Sequence, residues 1–440
     1  MVLALMAMAI WMVQGAVATS TVVHTITTSA KNNLSRDTKS YSDSAIAEAR
    51  LRLKGKSSTN TNFLGDPTAI TTTSTDFYSS PNVNWSGYLL SYTPWQYSKD
   101  PDYRAGDTNY IPTASSLMNS AITVNSVQQT FPYWVKMRHK REYDAEQLGH
   151  RTTSPHYTDS DGGTGLHTVA SPGSVIYYGY LSPTSTTPTE FTLAGSTSWP
   201  QVELVTIQTE TNGKTQRFQA ELARDAGPPL PGAMYSKGNV NFMLTGGATY
   251  HVVRGNDNGC SQLNPSRPPV YLKNPATMTG SAGLYTGGAP TSGTIDIDIA
   301  GYIQKYKAGA TEVTTDQSFV NFGSTSSFVT VYSNTSAPPN LNGLKLDNVN
   351  GYGLLLVEGD LILEKTVNWD GLILVTGTLT FNSSTTASGS ATADMVRVRG
   401  GILAGNVVGM KDQFNVNYYS CFIAKAMATK GTKLLTWRRL

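Results

Sequence analysis

Between Met1 and Ala30 the chain carries no Asp, Glu, Lys or Arg, and its opening, MVLALMAMAIWMVQGAVA, is almost wholly apolar. A stretch that is apolar all round cannot stand in water and must be buried in lipid or in a helical core. A secretory signal would open on a basic n-region, which is missing here, although Ala16-Val17-Ala18 imitates a cleavage site. The favoured expectation is a leader removed in front of this segment and an apolar helix retained, with Met1, Leu3, Leu5, Met8, Ile10, Trp11, Val13 and Gly15 in a core shared between copies.

Lys31 to Leu53 continues with Ala45, Ile46, Ala49, Leu51 and Leu53 among charged residues that tolerate a helix, and Gly55 suits its C-cap. One helix over 1–55 would be roughly 80 Å long. Gly15 and the β-branched TSTVVHTITTS stretch weaken its middle. Residues 56–80 read as a Thr/Ser-rich linker, and 81–231 alternate apolar-aromatic runs with Pro, Gly and Asn turns, as a β-rich domain does. The break GPPLPG then opens a last domain over 232–440.

That last domain holds the clearest internal order. GLLLVEGDLIL from Gly353 is echoed by GLILVTGTLTF from Gly371, and GGILAGNVV from Gly400 is a degenerate third copy. Apolar runs separated by Gly turns suit stacked β-solenoid rungs, with a three-stranded antiparallel meander as the alternative. The expected class is therefore α+β: a long N-terminal helix, a large β-rich region and a C-terminal β-solenoid-like repeat.

The apolar VLALMAMAIWMVQGA stretch, the Thr-rich segment after it and DSAIAEARLRL together resemble the N-terminal segment of PilX-like type IV pilus assembly proteins. GLLLVEGDLIL, WDGLILVTGTLTF and NYYSCFIAKA resemble the C-terminal part of the same family. The resemblance implies a structural subunit of an extracellular type IV pilus-like filament, not an enzyme, with a pilin-type helix in the filament core. It implies copies of itself and other pilins as partners, insertion in the inner membrane before assembly, and a final place at the cell surface. A minor or tip pilin or an adhesin is the near alternative. The departure from the family is the missing early Glu, since the first acidic residue is Asp37.

Chemistry-bearing patterns are sparse. Charged residues are 14% of the chain and the net charge is +3, too little for a nucleic-acid binder. The one basic cluster, Lys136, Arg138, Lys140 and Arg141, reads as a solvated face. Cys260 and Cys421 are the only cysteines, so one disulfide is the most they can form, and a bridge between them is expected. TDSDGGTG, with Asp159 and Asp161 among His150, His156 and His167, holds a fragment of a calcium loop without its terminal Glu. It reads as a turn, and neither metal nor cofactor is expected. Asp296 with Asp298, and Glu358 with Asp360, share strand faces, which keeps a solenoid-type glycan-active enzyme as the alternative of another class. Thr376 and Thr378 stand where a stacked copy would repeat those last two acids.

Overall fold

The computed structural model describes residues 39–50, 53, 88–91, 117–118, 122–124, 127–129, 133–147, 157–162, 167–168, 171, 173–193, 197–211, 214–242, 251–261, 264–280, 284–335, 343–382, 395–409 and 414–440. Among them are four short helices: α1 over 39–50, α2 Glu142–Gln147, α3 Ile299–Tyr306 and α4 Ser420–Ala428. Two sheets carry most of the rest. One is six-stranded and mostly antiparallel; the other has fifteen strands, and all its pairings are parallel.

In the six-stranded sheet, Tyr133–His139 pairs with Val202–Thr211, which pairs with Lys214–Arg224. The last strand of the chain, Thr432–Arg439, returns to the outer edge of Lys214–Arg224. Helix α1 lies on one face of this sheet. Ala45, Ala49 and Leu53, one helical turn apart, join Ile46 in packing on Tyr133, Val135, Met137, Val205, Ile207 and Phe218. Glu48 accepts from the Tyr133 hydroxyl at 2.9 Å, and Arg50 donates to the Thr432 carbonyl at 2.5 Å, so polar contacts fix the helix at both sides of its stripe.

This corrects the long pilin-type helix. The helix described here is twelve residues long and amphipathic, and its apolar stripe is taken up by the protein's own sheet. Among the described residues no helix is long and apolar enough to cross a membrane. The expected filament-core positions, Met1, Leu3, Leu5, Met8, Ile10, Trp11, Val13 and Gly15, lie outside the described residues, as does the 56–80 linker.

The parallel sheet is built around three long strands, Leu344–Glu358, Leu361–Asn382 and Val396–Gly409. The echoed segments are direct neighbours: Gly353 to Leu356 pair with Gly371 to Leu374, which pair with Gly400 to Leu403. Parallel strands buried on both faces read as unbroken apolar runs, which is why LLLV and LILV lack alternation. Leu354, Leu355, Leu356, Leu372, Ile373 and Leu374 are all fully buried, with α3 and α4 packed over these strands. Gly353, Gly371 and Gly400 form a column at φ of 129°, 140° and 151°. A Cβ on Gly371 would stand 2.1 Å from the Gly353 carbonyl oxygen, so both the conformation and the space require glycine.

The expected architecture of a pilin helix leading to a solenoid repeat is thus replaced by a large parallel β-sheet core with short helices. The antiparallel meander is excluded by the parallel register. Equal rungs do not form because the strands differ in length, with 15, 22 and 14 residues. Register also shifts between Asp347 and Val349 and between Val375 and Thr378. Val396–Gly409 branches as well, taking Met234–Ser236 and Val240–Phe242 alongside Phe414–Tyr418. A disulfide joins Cys260 to Cys421 at the second position of α4, with the Cα atoms 5.7 Å apart.

Candidate functional site

The basic cluster of the strand Tyr133–His139 is not a solvated face. Lys136, Arg138, His139 and Lys140 are all buried, and a buried charge persists only when paired. Arg138 makes a two-pronged ion pair with Asp144, and His139 Nδ1 lies 3.0 Å from Glu203. Lys140 Nζ reaches Glu190 at 2.5 Å and Glu221 at 2.9 Å. Burial pushes the Glu190 carboxyl up to about 7, against the pull of Lys140 and with the push of Glu221.

These pairs hold the chain where it leaves the sheet. Asp144 also accepts from the Arg141 amide at 2.9 Å, fixing the first turn of α2, where acidic side chains meet the exposed N–H groups of a helix start. Glu142, the first residue of α2, is thereby turned inward and buried. Its Oε1 accepts from the Tyr157 hydroxyl at 3.0 Å, and its Oε2 accepts from the Ser174 amide at 2.7 Å. Gly173, at φ of 77°, leaves room for it: a Cβ there would fall 2.4 Å from Glu142 Oε2.

Asp159 and Asp161 come to Glu142 from the other side, on the TDSDGGTG turn. Thr158 bridges to Phe191, and its amide donates to the Glu190 carbonyl at 2.9 Å, so the turn hangs on the strand Thr189–Phe191 that Lys140 anchors. Asp159 Oδ1 accepts from the amides of Asp161 and Gly162, both at 3.3 Å. One carboxylate oxygen from each of Glu142, Asp159 and Asp161 lies within 4.8 Å of the others. Glu142 is buried, Asp161 half-buried and Asp159 exposed, so the cluster is open on one side.

His167 closes the inner side. Its Nδ1 is 2.7 Å from Glu146 Oε1, its amide donates to Glu146 Oε2 at 2.9 Å, and its Nε2 is 3.3 Å from Glu142 Oε2. Glu146 therefore holds the ring with two bonds and turns its far nitrogen on Glu142. Burial raises the Glu142 carboxyl above its usual range, with the Ser174 amide, Tyr157 and His167 acting the other way. Burial and Glu142 raise the Tyr157 phenol, which keeps it a hydrogen donor. Three carboxylates facing one point repel each other, and a hard cation with oxygen ligands relieves that repulsion.

The sequence pattern singled out Asp159, Asp161 and His167, and the structure brings these three together. His150 and His156 lie outside the described residues. Glu142 and Glu146, which complete the site, were missed. REYDAEQ carries no metal-ligand spacing of its own, and the one available signal was its two inward acids four residues apart on a short helix. Asp296 pairs with Lys237 and Lys273 and so decorates a surface. Asp298 caps α3 by accepting from the Gly301 amide. Glu358 bonds Gln304, and Asp360 accepts from the Thr378 amide at 2.6 Å.

Comparison with family models, with curated proteins and with solved structures returns no match. The PilX-like resemblance therefore has no support from relatives, and the described helix gives it none. The dependent expectations are corrected with it: a structural filament subunit with no enzymatic role, pilins as partners, membrane insertion before assembly and a filament at the cell surface. Against them stand a short helix docked on a sheet, a parallel β core and a clustered set of carboxylates.

Proposed function

We propose that the protein is a glycan-active enzyme whose centre is a divalent cation, calcium by ligand type, held by Glu142, Asp159 and Asp161. The observation that carries this is the convergence of carboxylates from α2 and from the 158–162 turn within 4.8 Å, beside a histidine oriented by a further glutamate. All three ligands are oxygen donors, which suits calcium or magnesium over zinc. In this reading Tyr157 and the Ser174 amide orient Glu142, and Glu146 turns His167 Nε2 on Glu142 from the inner side.

A polyhydroxylated polymer is the substrate class that suits the sheet. The outward side of the parallel sheet carries a ladder of amides running across its strands, Asn321 to Asn350 to Asn368, each bonded to the next at 3.0 Å. Such ladders repeat at about the strand spacing of 4.8 Å and offer a regular row of donors and acceptors. The test is to incubate the protein with a panel of neutral and acidic polysaccharides and to follow new chain ends, with added calcium or with EDTA. Chain cleavage that EDTA stops, and that the Asp159→Asn/Asp161→Asn variant lacks, is expected. Cleavage indifferent to EDTA, or none on any polymer, overturns the reading.

A further inference from the structure

A cleft of about 480 Å³ opens where the C-terminal ends of α3 and α4 meet the start of the strand Val329–Asn334. That volume falls within the range of about 300–1,000 Å³ typical of small-molecule sites. None of the carboxylates of the cation cluster lines it.

Its walls are polar and carry two ammonium groups against one carboxylate. Lys305 comes from α3, Lys430 follows α4, Asp225 follows the strand Lys214–Arg224, and Thr311, Thr330 and Thr429 supply hydroxyls. Asp225 is held in place: its Oδ1 accepts from the Tyr306 hydroxyl and from the Gly227 amide, both at 3.0 Å. Its other oxygen pairs with Lys305 at 2.5 Å. Lys430 Nζ donates to the Tyr306 carbonyl at 2.6 Å, which ties the two helix ends together and fixes the width of the cleft. Phe328 and Val329 add an apolar strip to this lining.

Lys305 is the adaptable member. Its side chain is 52% exposed, and the ammonium sits 4.9 Å over the Tyr306 ring. An incoming carboxylate can draw it outward while Asp225 keeps its Tyr306 and Gly227 donors. With one net positive charge, several hydroxyls, an acceptor in Asp225 and an apolar strip, the cleft complements a ligand with one negative charge, hydroxyl groups and a C–H face.

We infer that this cleft binds a carboxylated saccharide unit, a uronate residue of an acidic glycan. The ligand class rests on the glycan reading above, but the site does not depend on the cation cluster. A uronate unit places its carboxylate at Lys305, donates hydroxyls to Asp225 and turns its C–H face toward the half-buried Val329.

The test is calorimetric titration of the full chain with a galacturonate trimer and with a neutral galactose trimer. The acidic trimer should bind at least about tenfold more tightly, a difference of about 1.4 kcal/mol. Lys305→Met should remove that preference without changing the melting temperature, because the side chain is half in solvent. Ala308→Trp, at the exposed lip, should block both trimers. The Asp159→Asn/Asp161→Asn variant should bind the acidic trimer as the parent does, whatever becomes of its turnover. Equal binding of the two trimers, or no binding of either, overturns the inference. So does an undiminished preference in Lys305→Met, or loss of binding in the Asp159→Asn/Asp161→Asn variant.

Discussion

Lys140 Nζ and Glu190 Oε2 form a buried ion pair at 2.5 Å that ties the strand Tyr133–His139 to the strand supporting the Asp159 turn. Glu221 shares the lysine at 2.9 Å, so two carboxylates compete for one ammonium in a site closed to water. Burial dominates, and the Glu190 carboxyl is pushed up to about 7. A folded-state value above the unfolded one means that the native protein binds more protons between the two, so stability falls as pH rises through that window. This contribution is fully present below about 4.5 and lost by about 7. Urea midpoints between pH 4.5 and 8 should show this decline in the parent and a flatter profile in Glu190→Gln. Lys140→Met, which strands two buried carboxylates, should cost about 3–5 kcal/mol at neutral pH.

The column of Gly353, Gly371 and Gly400 gives a steric prediction. Gly371→Ala puts a Cβ against the Gly353 backbone, where nothing can move aside without unpairing the strands. Gly431, at φ of 83°, has open space around it, so Gly431→Ala should cost only the left-handed backbone penalty of about 1–2 kcal/mol. Thermal unfolding of the two variants side by side checks the contrast, with Gly371→Ala expected to lose most of the cooperative transition.

How much of this was legible beforehand depends on the range of the signal. The Gly353 and Gly371 echo is local, and it does mark adjacent strands. What those strands build is not local: Val396–Gly409 branches onto Met234–Ser236, far back in the chain. The Ala45, Ile46, Ala49 and Leu53 stripe was visible as helix-compatible, but the charge-free residues before it suggested one continuous apolar rod. Alternation in KMRHK looked like a wet face, since nothing near in sequence announces the carboxylates of Glu190, Glu203 and Glu221 that make burial affordable. For the site, the Asp159 turn was readable from its own residues, and Glu142 was not. Its role comes from Gly173, Ser174 and Tyr157, which the fold brings to it.

The Cys260 to Cys421 bridge closes a separation of 161 residues and fixes α4 to the segment after the strand His251–Arg254. Removing a native disulfide costs about 2–5 kcal/mol, in part through the freedom returned to the unfolded chain. The Cys260→Ser/Cys421→Ser protein should melt earlier than the parent, and a reducing agent should lower the parent to the same temperature. Because Thr429 and Lys430, which directly follow α4, line the Lys305 cleft, the double variant should also bind the acidic trimer more weakly.

The last prediction separates a cation site from a mere acidic turn. A ligand that binds only the native state raises stability by about 2.7 kcal/mol at a hundredfold excess over its dissociation constant. Calcium should therefore raise the melting temperature of the parent, and EDTA should reverse the rise. Asp159→Asn/Asp161→Asn removes two of the three charges at an exposed turn, so it should fold as the parent does but show no calcium shift. Glu142→Gln should lose the shift as well; its one carbonyl oxygen can still accept from the Ser174 amide, while the Tyr157 hydroxyl, which can also accept, can turn to the new NH2 group. Tyr157→Phe, which leaves all three carboxylates and removes only the donor to Glu142 Oε1, should keep a reduced shift. Were the three carboxylates only decorating a turn, calcium would leave the melting temperature of the parent unchanged, and any gain from neutralising Asp159 and Asp161 would be the same with calcium absent or present.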